Sequence, residues 1–204
     1  MMIRHALFCL LAACVIYPLH AAPFERQTDD FAREIDAARQ QGKLLAVLFE
    51  LEDCPNCREL KAEVLSKSAA NAFEQHFHTV SLTVDQQGNI TTPSGETLPR
   101  DQWAGKLGVF ATPAFGFFDG KGQYIYRHLG TLSSPEELVL LGRYIVEQAF
   151  EDAPWSVWRD AQSGATAAIH DDGHAEHDGH AGHDDSHAEH NGSSDGSSYS
   201  MDCH

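Results

Sequence analysis

Cys54 and Cys57, in Cys54-Pro55-Asn56-Cys57, are the residues whose type and spacing most directly imply chemistry. A pair of cysteines at this spacing either holds half of a metal site or exchanges electrons. A zinc site needs a second pair of ligands, usually another CxxC or an HxxxH. No second CxxC exists, and the only histidine cluster begins more than 100 residues downstream. A redox pair needs a strand before it and a helix start at it. The unpaired N–H groups and positive dipole end of such a helix favour thiolate over thiol. They would lower the pKa of Cys54, taken as the exposed, attacking sulfur. Cys57, one turn further in, is the shielded thiol that resolves the mixed disulfide. Acids crowd the motif: Glu50, Glu52 and Asp53 are all candidates to accept the Cys57 proton, with surface solvation expected for at least two of them. Acids so close to Cys54 oppose its thiolate and leave the direction of electron flow open.

A second chemical cluster lies near the C-terminus. His170, His174, His177, His180, His183, His187 and His190 recur every three or four residues among Asp, Glu, Gly and Ala. Imidazole suits zinc, copper and nickel, and the interleaved carboxylates add oxygen donors. Gly173, Gly179 and Gly182 disfavour a preformed helix, so a multi-site binder of exchangeable ions is expected. Histidines beside carboxylates also titrate near neutrality, which allows a pH-responsive tail. Ser200-Met201-Asp202-Cys203-His204 adds a soft set fit for Cu(I), although Cys203 could equally pair with another chain or stand idle.

The elements that must position Cys54 follow from the pattern. A helix should begin near Thr28-Asp29, bury Phe31, Ile35 and Ala38, and stop at Gly42. Lys43 to Glu50 is almost continuously apolar, as in a strand buried on both faces. Pro55 occupies a natural first helical position, and Leu60, Val64 and Leu65 continue a helical stripe. Ala69 to Phe77 is predicted helical and His78 to Val84 a strand. Residues 85–98 are turn-rich and predict an exposed insertion or short hairpin. Pro99 to Leu107 predicts a short helix. Ala114 to Asp119 and Gln123 to Leu129 predict an antiparallel hairpin closed by Gly120-Lys121-Gly122. Ser134-Pro135-Glu136-Glu137 opens a helix to about Phe150, with Trp155 and Trp158 closing the domain against a surface groove. This order implies an α/β domain with a mixed sheet and helices on both faces.

With the strand-CxxC-helix unit and Ala111-Thr112-Pro113 before the Ala114 strand, the chain resembles the thioredoxin superfamily over roughly residues 26–150. The resemblance implies a thioredoxin fold and thiol–disulfide oxidoreductase activity with no cofactor needed for the redox step. It implies a cis-proline at Pro113, with Thr112 beside it, facing Cys54 and Cys57 and holding substrate backbone. Phe49-Glu50, Cys54-Pro55-Asn56-Cys57-Arg58-Glu59-Leu60 and the polar insertion after Val84 are similar to SoxW-type periplasmic thioredoxins. That narrower likeness implies disulfide-containing or sulfur-carrier protein partners and recharging by a membrane thiol-reductant transporter. The chain departs from typical thioredoxins in having Asp53 before the motif, Pro-Asn inside it, and an apolar Leu45 to Phe49 where a buried acid is usual.

The ends complete the organisation. Residues 1–21 have a basic start, an apolar run of about 14 residues and small residues for cleavage, as in a secretory signal. That run is short of the roughly 20 residues a membrane span requires. Leu11-Ala12-Ala13-Cys14 also fits a lipoprotein signal acylated at Cys14. Residues 22–162 are expected to form the domain and 163–204 a disordered His/Asp/Gly-rich tail. From His170 onward there are nine acids and no Lys or Arg, leaving 21 of the 30 acids against 14 bases elsewhere. Nothing in that balance offers the basic face that nucleic-acid binding needs. Two functions from different classes fit: an exported periplasmic reductase of protein disulfides, or a metal-handling protein whose tail binds zinc or copper while the CxxC pair keeps a client's metal site reduced.

Overall fold

The structure is a computed structural model describing residues 22–167 and 202–203. Its centre is a four-stranded sheet built on β1 (Leu44–Glu50). β1 pairs in parallel with β2 (Phe77–Thr83) and antiparallel with β6 (Ala114–Phe118), which pairs antiparallel with β7 (Tyr124–Leu129). The strand order is β2-β1-β6-β7, a mixed sheet of the kind the sequence predicts. Because successive side chains of a strand point to opposite faces, β1 serves two cores. Ala46 and Leu48 join Phe115 and Phe117 on one face, beneath α4 (Pro135–Val146) and the segment that follows the cysteines. Leu45, Val47 and Phe49 join Val80, Leu82 and Phe118 on the other, beneath α1 (Phe31–Gln40) and α3 (Arg100–Lys106). Burial on both sides is why β1 carries no alternation.

Local signals place most boundaries. Asp30 caps α1 through its side chain, which accepts from the Arg33 N–H, and Gly42 takes a positive φ at the turn into β1. Ser134 caps α4 with Pro135 behind it, as its sequence signature requires. Residues 85–98 do contain a hairpin, β3 (Asn89–Thr91) against β4 (Thr97–Pro99), and Ile90 from it is buried in the core.

Three departures have physical causes. The predicted helix from Ala69 to Phe77 is a tighter 3-10 stretch, Ser68–Gln75, and Phe77 is the first residue of β2. The ring of Phe73 stacks on that of Phe77 at 4.2 Å, so packing against the sheet overrides helical propensity. The helix expected to reach Phe150 stops at Val146. Gln148 adopts a left-handed φ of 55° and a 3-10 turn, Ala149–Glu151, follows. Trp155 and Trp158 lie on a further helix, α5 (Trp155–Ala167), where both rings pack on Tyr144 of α4.

Two short strands complete the description. β5 (Ala111–Thr112) precedes β6, and β8 (Asp202–Cys203) pairs with it in parallel, Ala111 opposite Asp202 and Thr112 opposite Cys203. Among the described residues, no helix is long and apolar enough to cross a membrane.

Candidate active site

β1 ends at Glu50, and the chain reaches the surface at Glu52 and Asp53. A turn over residues 51–53 follows, and Cys54 becomes the N-cap of α2 (Pro55–Leu60). Pro55 fits there because its missing N–H is one of the four that have no intrahelical partner. The Cys57 N–H donates to Cys54 Sγ at 3.2 Å, so the sulfur takes the place that a Ser or Asp oxygen fills at other helix starts. A developing thiolate at that position gains the N–H bond and the helix-end field together. Cys54 and Cys57 form a disulfide with Cα atoms 5.2 Å apart. Past Leu60 the helix widens into a π-turn, Lys61–Leu65, a distortion that recurs beside functional sites.

Thr112 and Pro113 come from 58 residues further along the chain. The Thr112–Pro113 peptide bond is cis. Thr112 is fully buried, its Oγ1 donating to Cys54 Sγ at 3.6 Å while its carbonyl oxygen lies 4.0 Å from the same sulfur. The structure thus gathers Cys54, Cys57, Thr112 and Pro113 in one place. It corrects one expectation: Cys54 is not exposed. Its relative exposure is 1%, against 2% for Cys57, because the Thr112 loop packs onto the start of α2.

The three acids separate cleanly. Glu52 and Asp53 are exposed, with the Asp53 carboxylate 4.0 Å from Arg58. Glu50 is buried at 6% exposure and accepts from Lys61 Nζ at 2.7 Å. Lys61 stands four residues after Cys57, spacing that puts the two on one side of the helix. A buried carboxylate therefore does end the strand before the motif, one step past the apolar run that masks it. Lys61 went unnoticed in the sequence because it looks like any exposed helix lysine. Phe110, also unnoticed, precedes β5 and is 56% exposed under the Arg127 guanidinium, 5.5 Å from the ring centroid. A shallow cleft of mixed character runs along α2, lined by Asn56, Glu59 and Glu63 together with Leu60, Val64 and Leu132.

His170, His174, His177, His180, His183, His187 and His190 lie outside the described residues, as do Cys14 and the rest of residues 1–21. Among the described residues, no three His, Cys, Asp or Glu side chains group as a metal site.

No curated protein matches the chain. Among solved structures, a putative disulphide-isomerase from Bacteroides thetaiotaomicron is 27% identical, with a TM-score of 0.47, over 60% of this chain and 95% of that one. A thioredoxin from Thermus thermophilus is 24% identical, with a TM-score of 0.45, over 59% and 87%. A thioredoxin-fold protein from Helicobacter pylori is 17% identical, with a TM-score of 0.46, over 63% and 83%. Residues 31–145, which span α1 to the end of α4 and enclose both cysteines and Pro113, match the family described as thioredoxin-like domain. The chain therefore belongs to the thioredoxin-like domain family and carries a thiol–disulfide oxidoreductase's CxxC pair at Cys54 and Cys57.

Proposed function

We propose that this protein is an exported, periplasmic thiol–disulfide oxidoreductase that reduces disulfides of partner proteins, with Cys54 attacking and Cys57 resolving. The observation that carries the reading is the Cys54–Cys57 disulfide at the N-cap of α2, with Thr112 Oγ1 directed at Cys54 Sγ. Cys54 thiolate attacks one sulfur of a client disulfide. The client S–S bond breaks, its departing sulfur takes up a proton, and a mixed disulfide joins client to Cys54. Cys57 then gives its proton to Glu50 and attacks Cys54 Sγ. The second client sulfur leaves, and the Cys54–Cys57 disulfide seen in the structure is formed. Thr112 positions Cys54 throughout, and Pro113 with β5 is the backbone edge against which client chain would lie. No cofactor enters any step.

The signal-like residues 1–21 support export, with acylation at Cys14 as the anchored variant. The likeness to SoxW-type thioredoxins supports sulfur-carrier proteins as clients and a membrane thiol-reductant transporter as the source of electrons. The Asn56, Glu59 and Glu63 cleft and the exposed Phe110 offer client contacts on either side of the motif. Seven histidines within residues 170–190 support a second role, binding zinc, copper or nickel, in which the CxxC pair keeps a client's metal site reduced. Insulin turbidity tests the first role. Cys54→Ser should abolish reduction, and Cys57→Ser should trap a mixed disulfide with the substrate. Full activity in either variant rules the assignment out.

A further inference from the structure

The C-terminal pair Asp202–Cys203 is part of the sheet edge beside the redox centre, although nothing in the proposed client reaction uses it. β8 adds to β5 as a parallel strand, with Cys203 in register with Thr112. Paired strands lie about 4.8 Å apart. The residue opposite Cys203 therefore places both its carbonyl oxygen and its hydroxyl within 4.0 Å of Cys54 Sγ. Strand addition to a free edge is a general way to seat a peptide, with main-chain hydrogen bonds supplying the affinity. Here the seated peptide is the chain's own end, and it carries a thiol. Cys54 is 1% exposed beneath the Thr112 segment, the backbone to which β8 is paired.

We propose that Cys203 is an intramolecular exchange partner of Cys54, seated by the β5–β8 pairing on the edge where a client chain would bind. The proposal rests on the assignment of Cys54 as the exchanging sulfur. The step conserves electrons. Cys203 thiolate attacks Cys54 Sγ, the Cys54–Cys57 bond breaks, a Cys54–Cys203 bond forms, and Cys57 leaves as a thiolate that takes the proton given up by Cys203. One disulfide and one thiol remain. Because Cys203 and Cys54 belong to one chain, the exchange is unimolecular, whereas a client must be met by diffusion. The tail therefore holds Cys54 until a client displaces it from β5, and it stores the disulfide in a second form with Cys57 free.

The test uses the full chain carrying Cys57→Ser, treated with oxidised glutathione, acid-quenched and digested with trypsin. Glutathione adds to Cys54, and Cys203 should displace it. Mass spectrometry should then find peptide 44–58 linked to peptide 160–204, in a yield that does not change with protein concentration. Separate glutathione adducts on Cys54 and Cys203, or links formed only between chains, would overturn the proposal. The wild-type oxidised protein supplies a second readout. N-ethylmaleimide should label Cys57 as well as Cys203, whereas labelling of Cys203 alone overturns the exchange. Insulin reduction by Cys203→Ser separates the two assignments. Activity there with no Cys54–Cys203 link removes only this proposal. A link with no insulin reduction by either wild type or Cys203→Ser removes only the client reaction.

Discussion

Glu50 is the side chain on which the proposed resolving step depends most. It is buried, it is held by Lys61, and Lys61 shares a helix side with Cys57. A general base of this kind contributes on the order of 10²-fold or more. Glu50→Gln keeps the shape and the Lys61 hydrogen bond but cannot take a proton. Insulin reduction should fall about 10²-fold at neutral pH, with the mixed disulfide accumulating, and should recover as pH rises and Cys57 ionises unaided. A rate loss with no dependence on pH would make Glu50 structural only. A second buried acid, Glu34, serves stability. Burial alone would raise its pKa, but hydrogen bonds from Arg26 and His78 outweigh that and hold it down at about 2. A carboxylate depressed in the folded state stabilises fully above its unfolded pKa of about 4.3. That contribution is lost as pH falls from about 4.3 through 2. Glu34→Gln should lower stability at neutral pH by ~1.5–3 kcal/mol, as for other hydrogen bonds to charged groups. It should also flatten acid unfolding between those limits, measured by urea melts at several pH values.

At the scale of elements, the site depends on how closely α4 and the sheet approach the segment after α2. Gly142 of α4 faces the stacked pair Phe73 and Phe77. A Cβ there would lie 2.9 Å from Phe73 and 3.2 Å from Phe77. Gly142→Ala gains up to about 1 kcal/mol in helix propensity but overpacks a core that must shift, at ~1–3 kcal/mol. We expect a net loss of stability, read as a lower urea midpoint with an unchanged slope, and a near-normal rate per folded molecule. The elements legible in the sequence are those with local causes: the doubly buried run of β1, the Ser134 cap, and the Gly120-Gly122 turn, while the cap of α1 falls at Asp30, just past the Thr28-Asp29 start that the pattern suggests. The illegible ones answer to partners distant in sequence. Ser68–Gln75 tightens because Phe73 must meet the sheet, and α5 forms because Trp155 and Trp158 find Tyr144.

For the whole molecule, the proposed redox and metal functions reside in separable parts. Residues 31–145 enclose the family's domain, and the seven histidines follow α5. Removing residues 170–204 should abolish binding of zinc, copper or nickel, followed by calorimetry, while leaving a folded chain that reduces insulin. Unchanged metal stoichiometry would place the ions elsewhere. The same truncation removes β8, so client reduction by the truncated chain should become less dependent on client concentration once β5 is vacant.

By itself the sequence determined that a CxxC pair stands at Cys54 and Cys57, that a helix starts at Cys54, and that a mixed sheet lies beneath. Those features are written in local spacing, in capping residues and in a run apolar enough to be buried twice. Tertiary structure alone decided the surroundings of Cys54. Thr112 approaches it from 58 residues away, Glu50 is buried and paired with Lys61, and Cys203 comes into register with Thr112. No local pattern encodes these contacts, because each depends on where the sheet brings distant backbone together. The CxxC pair could be read from four residues, whereas the burial of Cys54 required the whole fold.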